Sequence, residues 1–110
     1  MISTHVLDTA LGAPARALGV RLEVLESAGG WRELASAVTN QDGRAAGLAE
    51  AGPLVGRTCR LCFEVGAYLE SSGRPVFFPL IEVTFLVGRE PSYHVPLLLS
   101  PFGYSTYRGS

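Results

Sequence analysis

Short runs in which apolar and polar residues alternate recur along this chain, and glycine, proline, asparagine or aspartate punctuates them. An extended strand points successive side chains to opposite faces, so such a run buries one face and wets the other. "ISTHVLD" opens the chain, and "VRLEVLE" follows with Val20, Leu22 and Val24 on one face; "WRELASAVT" and "RTCRLCFEV" continue the pattern. Gly12, Pro14, Gly19 and the "SAGG" segment break it at intervals that suit an all-β sandwich. Asp42-Gly43 in "NQDGR" predicts a tight hairpin turn, since both residues accept positive φ, with a strand starting at Arg44. "GLAEAGPLVG" reads as connection and "GAYLESSG" as one or two helical turns. In "VFFPLIEVTFLV" the alternation sets Phe77, Ile81, Val83 and Phe85 on one face, and Pro79 signals a sheet edge or a bulge. Two last strands are expected at 93–100 and 102–109, divided by Pro101.

The strand at 93–100 carries a second constraint. Tyr93, Val95, Leu97 and Leu99 point one way, while His94, Pro96, Leu98 and Ser100 point the other, so both faces are largely apolar. A sandwich covers one face of each strand, and the other face needs a partner. A second subunit is the simplest one and would bury His94 at an interface. A composition of 47% hydrophobic and only 17% charged residues points the same way, towards an oligomer. At 110 residues, 1–110 reads as one domain able to form a core without staples. A net charge of −1 gives no footprint for nucleic acid or an anionic membrane surface. No apolar stretch reaches membrane-span length, and "MISTHVLDTA" lacks the pattern of a signal peptide, so the expected location is cytoplasmic.

Cys59 and Cys62 have the C-x-x-C spacing of redox and metal motifs, but they lie within a strand pattern. Alternation puts Cys59 with Leu61, Phe63 and Val65, and Cys62 on the opposite face with Thr58, Arg60 and Glu64. Thiols on opposite faces neither bridge without strain nor share a tetrahedral metal, so both read as structural. The remaining chemistry-bearing residues are few. His5 and His94 sit in strands near the two ends of the chain, and Arg44 follows the turn. Each histidine reads either as a structural strand residue or as a proton-transfer group working near neutral pH. Arg44, at the start of a strand after a tight turn, reads in isolation as a solvated surface charge. Tyr104 and Tyr107 read as strand aromatics and Arg108 as a terminal charge, unless they serve a site. No nucleophile elbow, phosphate loop or dinucleotide fingerprint is present.

Three blocks carry a family resemblance: "STHVLDTALGAPA" at 3–15, "TNQDGR" at 39–44 and "YHVPLLLSPFGYSTYRGS" at 93–110. With them the chain resembles the transthyretin-like family, in its 5-hydroxyisourate hydrolase branch. Trp31, "GAYLESSG" and "FFPLIEVTF" add weaker likeness, and the terminal "YRGS" is the element that separates the hydrolase branch from the hormone carriers. The resemblance implies a Greek-key sandwich of two four-stranded sheets with one short helix. It also implies a homotetramer, a dimer of dimers, with active sites in a channel between subunits.

Carried over by position, the family's functional residues fall on His5, Arg44, His94 and the tetrapeptide Tyr107, Arg108, Gly109 and Ser110. Ser92 departs from the pattern, because many members carry a further histidine there. The implied reaction opens a cyclic amide of 5-hydroxyisourate with water, in urate breakdown. In that scheme His94 is the general base and His5 its partner or co-base. Arg44 holds a substrate oxygen and opposes developing charge, and Tyr107 donates a hydrogen bond to the ring. Arg108 binds substrate, and Ser110 offers a hydroxyl and a terminal carboxylate. No metal or organic cofactor is called for. The competing expectation is a non-catalytic carrier of small aromatic ligands on the same scaffold.

Overall fold

The structure is a computed structural model and describes residues Met1–Ser110. Its strands are β1 (Ile2–Asp8), β2 (Ala13–Pro14), β3 (Gly19–Leu25), β4 (Trp31–Val38), β5 (Arg44–Ala49), β6 (Thr58–Phe63), β7 (Ile81–Leu86), β8 (Tyr93–His94), β9 (Leu97–Ser100) and β10 (Gly103–Thr106). A single α-helix, α1 (Val65–Ser71), joins β6 to β7, and a 3-10 turn spans Gly52–Leu54. One sheet runs β4-β3-β6-β7, antiparallel throughout. The other contains six short strands that stack as four columns. β5 and β2 share one edge of β1, while β8 and β9 lie along its other edge as one interrupted strand that passes the chain to β10. The two four-stranded layers that the family resemblance implies are therefore present, with two columns of the second sheet each made of two short strands.

The alternation in the sequence becomes burial. β1 alternates between fully buried Ile2, Thr4, Val6 and Asp8 and half-buried Ser3, His5 and Leu7. Val20, Leu22 and Val24 of β3 face Cys59, Leu61 and Phe63 of β6 and enter one contiguous core with Val6, Leu97 and Leu99 of the other sheet. Full burial of one such aliphatic side chain is worth about 1.5–3 kcal/mol. Cys59 lies in that core, while Cys62 is buried on the opposite face, where its thiol approaches Glu23 at 3.4 Å. The two thiols are separated as the alternation requires. α1 covers the core with Val65 and Leu69, and its first turn packs so tightly that Gly66 donates to the Pro79 carbonyl at 2.8 Å.

Several local expectations are corrected. The turn before Arg44 is not a two-residue hairpin. It spans Asn40–Gly43, closed by Gly43 N–H to the Asn40 carbonyl at 2.9 Å, and only Gly43 has positive φ, at 74°. It carries the chain from β4 in one sheet to β5 in the other, because β4 spends its inner edge on β3 and β5 pairs with β1. The segment after Arg44 stays extended to Ala49, so part of the supposed connection is strand. Phe77 is off the strand and 68% exposed; Pro79 donates no ladder bond, and β7 starts only at Ile81. The expected strand at 93–100 is cut at Val95–Pro96, where proline again lacks a donor. The two carbonyls freed there accept hydroxyls instead, Val95 from Thr4 at 2.6 Å and Pro96 from Thr106 at 2.7 Å. The last strand ends at Thr106 rather than 109, and only a single bridge, Gly109 to His94, continues the pairing.

Candidate active site

Strand register alone gathers the polar residues. His5 is the direct cross-strand partner of Arg44 on β5, and Ser3 is the direct partner of His94 on β8, across the other edge of β1. Partnered residues point to the same side of a sheet, and positions 3 and 5 share a side because the period is two. Ser3, His5, Arg44 and His94 thus occupy the outer face of one sheet, opposite the core.

Each group is held by local structure. The Asn40 side-chain oxygen accepts from the backbone N–H of Asp42 at 2.9 Å and of Arg44 at 3.0 Å. A Cβ on Gly43 would stand 2.4 Å from the Val6 carbonyl, so this approach of the turn to β1 admits only glycine. The turn thereby aims the Asp42 carbonyl at His5, whose Nε2 lies 2.8 Å away. A carbonyl only accepts, so Nε2 carries a proton and donates it to that oxygen. His94 is held through its other nitrogen: Nδ1 is 2.8 Å from the Ser3 hydroxyl. Gly109 donates to the His94 carbonyl at 2.8 Å and lies flat against the ring, where a Cβ would fall 2.7 Å from Cδ2. The pKa of His94 sits below the ordinary 6.5 because burial disfavours the charged ring, with Arg44 and His5 adding like-charge repulsion. His94 is accordingly neutral at pH 7. The Arg44 guanidinium is exposed and has no acidic partner in the chain.

A cleft of about 280 Å³ opens over this face, lined by Ser3, Arg44, Ser92, His94, Gly109 and Ser110 among others. His5 stands beside it on the same face without lining it. Tyr107 and Arg108 line a second, more apolar hollow of about 290 Å³ with Val83, Phe85 and Tyr93. His94 alone is common to both hollows. Arg108 stacks over Tyr93 at 5.2 Å and also borders a shallow recess beside Ser92 and Ser110. Within one chain, then, Arg44, His94 and Ser110 meet in one cleft, His5 adjoins it, and Tyr107 lies across the His94 ridge. Ser3 and Asn40 were missed by the sequence reading. Ser3 was within reach of it, because alternation puts that residue on the same face as His5; Asn40 acts through a turn whose geometry the Asp42-Gly43 reading misjudged.

A two-layer sandwich of this strand order, with histidines and arginine on the outer face of the sheet that contains both chain ends, defines a transthyretin-like protein. The chain belongs to the HIUase/Transthyretin family, whose sequence model matches residues 2–109. Among its relatives, 5-hydroxyisourate hydrolase of Mus musculus is 45% identical over 99% of this chain and 94% of its own length. 5-hydroxyisourate hydrolase 2 of Rhizobium meliloti is 47% identical over 99% and 95%. Among solved structures, Klebsiella pneumoniae 5-hydroxyisourate hydrolase superposes with a TM-score of 0.85 at 38% identity, covering 99% of this chain and 98% of that one. Sea bream transthyretin in complex with thyroxine gives a TM-score of 0.91 at 29% identity, covering 98% and 93%.

Proposed function

We propose that this chain is an enzyme that hydrolyses 5-hydroxyisourate to 2-oxo-4-hydroxy-4-carboxy-5-ureidoimidazoline, as a step of urate breakdown in the cytoplasm. The observation that carries the reading is the register of β1, which sets His5 opposite Arg44 and Ser3 opposite His94 on one sheet face. The names of its relatives, several of them 5-hydroxyisourate hydrolases, support the same activity.

In the reaction, neutral His94 takes a proton from water as the water oxygen bonds to the ring carbonyl carbon. General-base help of this kind is typically worth about 10²–10⁴ in rate. Arg44, free of any acidic partner, opposes the negative charge that grows on the carbonyl oxygen. The tetrahedral species collapses with cleavage of the ring C–N bond, and the imidazolium returns its proton to the leaving nitrogen. His5, beside the cleft on the same face, orients the water or shares its proton. Ser110 supplies a hydroxyl at the rim of the cleft, while Tyr107 and Arg108 reach the substrate from the second hollow. The residues given roles here supply all the proton transfers the scheme needs.

The working unit is a homotetramer, a dimer of dimers. His94 and Leu98 leave half-buried side chains on the outer face of the sheet, and Leu86 and Phe102 are exposed at 68% and 78%, surface that suits a second copy. Sedimentation of the purified protein reads this directly, a monomer being the contrary result. The carrier reading draws support from the sea bream structure, yet a passive hormone site has no use for two histidines and an unpaired arginine converging on one face. The deciding assay is the ultraviolet decay of freshly generated 5-hydroxyisourate with and without protein. Acceleration at catalytic protein concentration is expected; decay at the buffer rate with folded protein would sink the hydrolase.

A further inference from the structure

We propose that Ser3 is a positioning residue that selects which nitrogen of His94 performs the proton transfer. The proposal rests on the hydrolase reading but adds an atom-level assignment to it. His94 has two ring nitrogens, and geometry treats them unequally. Nδ1 is 2.8 Å from the Ser3 hydroxyl, and the Cδ2 edge lies against Gly109, where even a Cβ would come within 2.7 Å. Nε2 has no hydrogen-bond partner in the chain and is the nitrogen left for water and substrate. The ring is therefore pinned on two edges and open at one.

A serine hydroxyl both donates and accepts. When Nδ1–H donates to Ser3, Nε2 holds the lone pair and acts as base. When water's proton arrives at Nε2, both nitrogens carry hydrogen, and Ser3 still accepts from Nδ1–H, so the imidazolium is formed without breaking its anchor. Ser3 faces His94 as a direct cross-strand partner, so the contact is set by the sheet and not by a flexible loop. His5 provides the contrast: its Nε2, the nitrogen that His94 leaves free, is committed to the Asp42 carbonyl. Other titratable or charged groups around His94 are His5 from β1, Arg44 from β5, Tyr93 from β8, and Tyr107, Arg108 and the Ser110 terminal carboxylate from the segment after β10.

The test uses the intact protein and two readouts. Nitrogen-15 NMR of histidine-labelled protein, without substrate, reads the tautomer of His94. The expected result is Nδ1–H in wild type and a shift to Nε2–H in Ser3→Ala. In turnover, Ser3→Ala should lower kcat about tenfold with little change in KM, the size expected for one lost hydrogen bond to a charged ring. The acid limb of its pH profile should move to lower pH, because the acceptor that favours the protonated ring is gone. Ser3→Thr, which keeps the hydroxyl, should restore most of the rate, and Ser3→Ala should add nothing to the loss in His94→Ala. An Nε2–H tautomer in wild type would overturn the assignment, as would a Ser3→Ala defect in KM alone or one additive with His94→Ala. Failure of wild type to consume 5-hydroxyisourate overturns the hydrolase reading instead, and the NMR result stands apart from it.

Discussion

His5 and Asp8 belong to the same strand, β1, and face opposite sides of its sheet. Asp8 is 1% exposed and saturated. Its Oδ2 accepts from Tyr68 at 2.7 Å and Arg74 at 2.6 Å, and its Oδ1 from the backbone of Ala10 and Leu11 at 3.2 and 3.3 Å. The outer face is the reverse. His5 and His94 each hold a single anchoring bond, and Arg44 has no side-chain partner. Burial raises the Asp8 pKa, but the hydrogen bonds from Arg74 and Tyr68 outweigh it and leave the carboxyl below its ordinary 3.8. At His94 the single bond to Ser3 does not offset burial, and with Arg44 and His5 adding to the effect the ring stays neutral. A complete polar network holds structure, and an incomplete one on an open cleft is available for chemistry.

The largest test of this contrast is His94→Ala. Loss of the general base should lower kcat/KM by about 10²–10⁴ while the thermal midpoint stays close to wild type, since the removed ring satisfies no buried partner other than Ser3. A variant that unfolds along with losing activity would place His94 in the structural class and erase the distinction.

Asp8→Ala is the opposite probe. It strands Arg74 and Tyr68 beside an apolar core and cuts the tie between β1 and α1. The expected loss is about 3–5 kcal/mol in urea unfolding, the usual effect of breaking a buried pair from one side. Turnover per folded molecule should hold. The pH dependence carries a sign. A carboxyl whose folded pKa is depressed contributes stability that is fully present above its unfolded value and is lost as pH falls through the folded one. Wild type should therefore lose stability below about the ordinary carboxylate value of 3.8, and Asp8→Ala should show a shallower acid slope.

How much of this was legible in sequence follows from where the information resides. Period-two alternation is local, so β1, β3 and β6 and their buried faces could be read directly, as could the opposition of Cys59 and Cys62. The Asp8 network was not legible: Tyr68 and Arg74 lie on or just after the helix, far along the chain, and nothing local ties them to β1. Proline's missing donor was visible in the sequence, but its effect depends on which edge the donor would have faced, and so the break at Pro96 and the late start of β7 were missed. His5, Arg44 and His94 stood out as the few chemistry-bearing residues, and the family resemblance gave them roles. Only the register of three strands explains why they meet. Ser3 needed that register too, since a serine in a strand is mute until its cross-strand partner is known.

A smaller effect is expected from Gly109→Ala. The backbone there is ordinary, so the substitution acts only through its Cβ, which would press to 2.7 Å from His94 Cδ2. The ring must swing away from its bond to Ser3. Misplacement of a reacting group by a fraction of an ångström should lower kcat by about tenfold, with unfolding unchanged. Unaltered kcat would mean that the terminal segment is not packed on His94 in the working enzyme, and the incomplete side of the comparison would then be looser than drawn.

The finest test concerns only the position of a pH limb. With His94 depressed by burial first and by Arg44 and His5 after it, kcat/KM should rise with pH along a limb centred below 6.5 and be flat at neutrality. Replacing Arg44 removes the larger of the two charge contributions that add to burial at His94. Arg44→Gln should slow the reaction through lost charge stabilisation and, separately, move that limb to higher pH. Arg44→Lys keeps the charge and should leave the limb where it was, even though it loses the guanidinium fork. Position and height of the profile thus report different things: the height follows the contact with substrate, the position follows the field at His94. If Arg44→Gln lowers the profile without moving it, the His94 pKa is set without Arg44. The outer face would then be separate groups that share a cleft, whereas Asp8, Tyr68 and Arg74 are joined in one hydrogen-bonded network.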